Sequence, residues 1–162
     1  AGVIGPDHPA HPIDIYAESK LACEQLLQGS GLQYANLRIS GIAIPEFLDP
    51  PEPWAFMADQ RIELVALSDL VEAMVSLVGR KEAFGRTLVI AGGPTWQVTG
   101  REYVRRWGEI MGVPLEDMGF LERPGWLNWY DTAESQALLR YQSTTLDAFF
   151  LRLRAAVEEA LA

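Results

Sequence analysis

Tyr16 and Lys20 are the two residues of this chain best placed to carry acid/base chemistry together. They stand four positions apart, in Tyr16-Ala17-Glu18-Ser19-Lys20, and on a helix that spacing sets both side chains on one face, one turn apart. A free tyrosine ionises at about pH 10, so it trades protons at neutral pH only where a cation stabilises its phenolate. A lysine ammonium one turn away supplies that cation. The chain holds five tyrosines and two lysines, so the spacing also arises by chance on a solvated helix face, and the surrounding sequence must decide.

The other chemistry-bearing residues read more blandly. His8 and His11 lie three apart among prolines with no third ligand at metal-site spacing, so no metal is expected. Cys23 falls in the same predicted helix as Tyr16, has no basic neighbour beyond Lys20, and reads as packed core. The run Trp126-Leu127-Asn128-Trp129-Tyr130 presents aromatic faces that either stack on a substrate ring or pack as core or lid; both readings stay open. Glu158-Glu159 reads as a solvated face. No strand is followed by a Gly-x-x-Gly-x-x-Gly turn, the device that holds a pyrophosphate on backbone amides and a helix N-terminus. Gly2 and Gly5 are too closely set, and Gly92-Gly93 is a turn before Pro94.

The elements that must position Tyr16 and Lys20 follow from periodicity. With 162 residues, 49% of them apolar, the chain can bury a sizeable core. A formal charge of −9 leaves no basic footprint for nucleic acid, and no apolar run is long enough to span a bilayer. The single cysteine cannot form an internal disulfide and fits a reducing compartment, so a cytoplasmic protein is expected. A Pro- and Gly-rich loop over 1–13 leads to Asp14, a helix cap, and apolar residues at helical spacing predict a helix over 15–28. Short apolar runs predict strands over 34–39, 62–67 and 87–91. Ser68 or Asp69 is expected to cap a helix running to about Val78, and Thr99 to open another ending at Gly112. Asp131-Thr-Ala-Glu134 and Thr144-Thr-Leu-Asp147 repeat the capping signal, and four prolines over 45–53 exclude regular structure there. Helix and strand alternate, so the fold class is α/β.

In this order the motifs resemble the extended short-chain dehydrogenase/reductase family, the epimerases and dehydratases of nucleotide sugars. Val3-Ile4-Gly5 is similar to the family's strand ending in Val-Tyr-Gly, and it is followed by a proline-containing loop, Tyr16-x-x-x-Lys20, and Glu24 four residues on. Leu37-Arg38-Ile39-Ser40 with Pro45 resembles the next strand and its Gly-Pro loop, with Ile44 in place of the glycine. Leu64–Leu67 with Ser68, Asp69 and Leu70, then Thr87–Gly93 with Thr99, continue the pattern. Tyr130–Tyr141 resembles its closing segment, with Arg140 in place of a glycine.

The resemblance implies a partial Rossmann-type sheet with the Tyr-x-x-x-Lys helix in residues 1–44. It implies a small mixed α/β substrate-binding subdomain over 45–162, with the strand near Thr87 rejoining the sheet. Tyr16 would be the general acid/base, Lys20 would support it and hold the cofactor ribose, and Ile39, Ser40 and Gly41 would border nicotinamide and substrate. NAD or NADP would serve the parent enzyme. The chain would be the C-terminal portion of an enzyme about twice as long, inactive alone and binding no cofactor by itself. A nucleotide sugar is the implied substrate and a homodimer the implied assembly. The family's arginine seven residues before the aspartate is Ile62 here, and Arg61 falls one position early, on the opposite face of a strand, so a reductase of other carbonyl compounds stays open. A non-catalytic binding or assembly module derived from the same fold is the alternative.

Overall fold

The computed structural model describes residues 2–162. Helix α1 (Ile15–Gly29) starts where predicted: Asp14 is extended, and its carboxylate accepts from the Ala17 amide at 2.7 Å. None of its residues is fully buried: Leu21 and Leu27 are half-buried, while Ile15 and Leu26, also predicted to pack, are exposed.

Strand β1 (Asn36–Ile39) runs parallel to β5 (Thr87–Ile90), in register from Asn36 opposite Thr87 to Ile39 opposite Ile90. After Ser40 the chain continues as β2 (Gly41–Ala43), which the sequence did not signal and which pairs in parallel with β4 (Leu64–Ala66). The strand expected over 62–67 is two pieces. Arg61–Ile62 forms β3, antiparallel to β6 (Val98–Thr99), and the chain breaks at Glu63 before β4. The cause is chemical: Glu63 is fully buried and turns its carboxylate to the amides of Gly93 (2.8 Å) and Tyr130 (2.9 Å) and to Gln97 Nε2 (3.0 Å). A buried carboxylate must collect donors, and here it collects three.

Helix α2 (Leu67–Leu77) begins without a side-chain cap, so neither Ser68 nor Asp69 plays the expected part. Asp69 is fully buried and reaches across the fold, accepting from the amides of Ser143 (3.0 Å) and Thr144 (2.9 Å) and from both their hydroxyls (3.0 and 2.7 Å). This fixes the approach to α5 (Leu146–Ala160), which Thr145 caps by accepting from Ala148 N. Helix α3 (Gly100–Met111) has the expected Thr99 cap and ends on left-handed Gly112. The short α4 (Ala133–Leu139) ends on Arg140 at φ 53°, a left-handed conformation that glycine adopts freely and that costs any other L-residue about 1 kcal/mol.

Two apolar clusters hold these pieces. One joins α3 and α5 through Trp96, Tyr103, Trp107, Phe149 and Phe150, with Trp96 and Phe149 ring centres 5.2 Å apart. The other packs Leu70 of α2 and Leu139 of α4 against Leu88 and Ile90 of β5, with Tyr141 beside them. The Tyr141 hydroxyl donates to Ala91 O (2.9 Å) and accepts from Ala91 N (3.1 Å), pinning the end of β5. Residues 44–53 form no helix or strand. Among the described residues no helix is long and apolar enough to cross a membrane.

Candidate active site

Since α1 buries no residue, packing alone does not set its place. Arg38, the one charged residue of β1, ties it down. Its guanidinium forks onto Glu24 of α1, Nε to Oε1 at 3.0 Å and Nη2 to Oε2 at 2.9 Å. Nη1 donates to the carbonyls of Pro6 and His8, both at 3.0 Å. One side chain therefore joins the central strand, the helix and the loop that precedes it. The hydrogen bonds from Arg38 hold the Glu24 carboxyl below the ordinary carboxylate range, as a planar two-pronged cation should. Both residues were visible in the sequence, but their pairing was not read; an arginine inside an otherwise apolar strand calls for an anion, and that was the available signal.

On the helix so held, Tyr16 is 70% exposed, and the Lys20 ammonium lies over its ring, 5.2 Å from the centroid. The structure thus brings the predicted pair together, as a cation on an aromatic face. Burial pushes three of the other four tyrosines away from neutral chemistry: Tyr130 is pushed up to about 12, and Tyr103 and Tyr141 are raised as well. Tyr16 is the exposed phenol with a cation beside it.

Ile39, Ser40 and Gly41 form the link between β1 and β2, at the carboxyl end of a parallel strand, where open α/β sheets receive ligands. Ser40 is 6% exposed, and its amide donates to Ile90 O, yet its hydroxyl has no hydrogen-bond partner among the described residues. An unpaired buried hydroxyl costs about 1–3 kcal/mol unless a ligand group completes it, so this link suits a polar ligand edge. At Gly41 a Cβ would lie 2.3 Å from Leu64 Cδ2, so a larger residue there would have to displace the end of that side chain.

Other predicted residues fall elsewhere. Cys23 is exposed and not core, because it lies off the half-buried face of α1 formed by Ala17, Leu21, Glu24 and Leu27. His8 and His11 are exposed loop residues, and among the described residues no group of three or more His, Cys, Asp or Glu is placed to hold a metal. The aromatic run divides: Leu127 is core, Trp129 carries the Arg61 guanidinium 4.4 Å over its ring and donates to Val98 O, and Trp126 stays 55% exposed. Ile62 is buried while Arg61 turns the other way, the facing that a strand alternation gives.

No family model matches the chain, and no curated protein matches it significantly. Solved structures do. UDP-glucuronic acid 4-epimerase from Bacillus cereus, in complex with UDP-glucuronic acid and NAD, superposes with a TM-score of 0.76 at 17% identity, over 99% of this chain and 57% of its own. A short-chain dehydrogenase/reductase superfamily protein from Agrobacterium tumefaciens with bound NAD gives a TM-score of 0.77 at 16% identity, over 99% and 62%. MoeE5 in complex with UDP-glucose and NAD gives 0.78 at 20%, over 99% and 61%. The likeness shows the fold alone: the chain shares the mixed α/β, Rossmann-type architecture of these structures, and it spans about three fifths of their length.

Proposed function

We propose that this chain is the substrate-side catalytic portion of a NAD(P)-dependent epimerase/dehydratase acting on a nucleotide sugar or a related hydroxy or carbonyl compound. The observation that carries this reading is the Lys20 ammonium lying over the exposed Tyr16 ring, on a helix clamped to β1. Tyr16 takes the proton of a substrate hydroxyl as its carbon loses hydride, and returns it in the reverse sense. Lys20 stabilises the negative charge that builds on the Tyr16 oxygen, and its three donors suit a cofactor ribose. The nicotinamide, when bound, accepts or supplies the hydride. Ile39, Ser40 and Gly41 present backbone and the unpaired Ser40 hydroxyl to the reacting end.

Residues 1–44 act in this scheme as part of the cofactor-side unit and 45–162 as the substrate unit, joined where β5 pairs with β1. The structures it resembles are longer and hold NAD, so activity is assigned to the complete protein, and this polypeptide alone is expected to be inactive and to leave NAD(P)H unbound. A second copy covering the bare side of α1, and a cytoplasmic setting that keeps Cys23 reduced, complete the proposal.

The test is made on the protein encoded by the complete gene, with UDP-glucose and UDP-glucuronic acid as substrates. Tyr16→Phe should lower kcat by roughly 10²–10⁴-fold and leave NAD(P)H affinity unchanged, whereas Lys20→Met should impair both. Wild-type turnover by Tyr16→Phe would dismiss Tyr16 as the acid/base. Cofactor and sugar binding without turnover in the wild type would favour a non-catalytic module.

A further inference from the structure

We infer that Trp126 is a specificity-determining wall of the site, stacking its indole on the reacting sugar ring of the substrate. This rests on the reading of the site given above and names a residue which that reading does not use.

Three observations carry it. First, the backbone on either side of Trp126 is anchored. Gln60 receives the Gly125 amide at 2.8 Å and donates to the carbonyls of Gly125 (3.1 Å) and Leu127 (2.7 Å), so both neighbours of Trp126 are bonded to one side chain. Gly125 presses so closely on Ala55 that a Cβ there would lie 2.0 Å from its carbonyl oxygen, and Leu127 is buried in the core. Second, despite this anchoring the indole is 55% exposed. A large apolar ring left bare on an anchored backbone suits a binding hot spot, since little backbone freedom remains to be lost when a ligand covers it.

Third, its place is set against the candidate site. A Cβ at Gly41 would lie 3.6 Å from Trp126 Cη2, so the tip of the indole borders the β1–β2 link that carries the unpaired Ser40 hydroxyl. The Leu64 and Leu127 side chains reach the same point, 2.3 and 3.5 Å from where that Cβ would stand, so the indole tip meets the link beside these two apolar groups. A ligand whose polar edge meets the Ser40 region has its adjoining ring beside Trp126. Pyranose rings present axial C–H faces to aromatic rings, and a planar base presents a π-face, so both can stack in principle. Proximity to the link that borders the reacting end selects the sugar ring.

The experiment uses the complete protein with NAD(P) present, and isothermal titration with UDP-glucose and, separately, with UDP, which has the base and phosphates but no hexose. Trp126→Ala should weaken UDP-glucose binding by roughly tenfold and UDP binding by less than about twofold, while NAD(P)H affinity is unchanged. Trp126→Phe, which keeps a stacking face, should restore UDP-glucose binding to within about threefold of wild type. Equal weakening of both ligands would put the base on Trp126 and overturn the inference, as would unchanged UDP-glucose binding in Trp126→Ala. If the wild type binds cofactor but neither UDP ligand, the nucleotide-sugar reading fails and this role for Trp126 falls with it. Binding that survives Trp126→Ala overturns Trp126 alone and leaves that reading standing.

Discussion

Removing Arg38 should loosen helix α1 without unfolding the protein. Arg38→Ala deletes four hydrogen bonds, two to the Glu24 carboxylate at 3.0 and 2.9 Å and two to the Pro6 and His8 carbonyls at 3.0 Å. Hydrogen bonds of charged groups contribute about 1.5–3 kcal/mol each when buried, but the side chains of Arg38 and Glu24 are 30% and 15% exposed, and screening reduces the sum. A loss of about 2–3 kcal/mol is expected, which raises the frequency with which α1 opens by roughly 30- to 150-fold. Because α1 buries no residue, the change should stay local. Native-state hydrogen exchange reads this directly: the α1 amides should lose protection while those of α3 and α5, packed on the aromatic cluster, keep theirs. Arg38→Lys keeps the charge but not the fork and should lose about half as much. The pH dependence has a fixed sign. Arg38 holds the Glu24 carboxyl below its ordinary value of 4.5, so the pair's contribution is fully present above that pH and is lost as pH falls through the lower, folded value. Exchange corrected for its intrinsic pH dependence should therefore rise in α1 first on acidification. Wild-type protection of α1 in Arg38→Ala, or equal losses in α1 and α5, would refute the idea that this clamp positions the helix.

Two further expectations concern the buried carboxylates. Asp69→Ala leaves the Ser143 and Thr144 amides without acceptors and should cost about 3–5 kcal/mol, read as a fall in Tm of roughly 6–20 °C; a fall below about 2 °C would show that the latch is not structural. Glu63→Gln sets an amide NH2 against at least one of three donors and should lower stability by about 1 kcal/mol near neutral pH, measured by urea denaturation. Burial raises the Glu63 carboxyl above 4.5, so in the wild type this group makes stability decline as pH rises from 4.5 through the raised value. Glu63→Gln should remove that part of the slope, and an unaltered profile would mean Glu63 does not titrate there.

The features legible in the sequence were those governed by neighbours along the chain. Asp14 and Thr99 cap helices because a cap needs only an amide two or three residues on, whereas the signal at Thr144–Asp147 is off by one: Thr145 is the cap and Thr144 bonds to Asp69. Tyr16 and Lys20 meet because a helix fixes residues four apart on one face. What could not be read depends on residues far away. Glu63 breaks its strand for donors at Gly93, Gln97 and Tyr130, and Asp69 leaves its capping position for amides at Ser143 and Thr144; sequence periodicity carries no record of either. Strand β2 is three residues long and follows directly on Ser40, too short for any alternation to show. Cys23 and Leu26 misled for the opposite reason. They have helical spacing, which predicts a packed side, but spacing states which residues share a face and not whether anything covers it.

That last difference bears on function. In α3 and α5 an apolar face and an aromatic core fix the helix, so position follows from burial. In α1 only the face of Ala17, Leu21, Glu24 and Leu27 is half-buried, and the helix bearing the candidate acid/base is tied down by one guanidinium fork and two backbone carbonyls. An electrostatic clamp is directional where hydrophobic packing is not: it fixes the angle of α1 about β1, and so the side on which Tyr16 and Lys20 stand. It also spans few contacts and is partly open to water. Covering it would strengthen the fork by lowering the local dielectric. Anything that covered α1 would thereby be coupled to the geometry of the candidate site through Arg38, and conditions that leave α1 uncovered should leave Tyr16 the least rigidly held of the residues proposed for the chemistry.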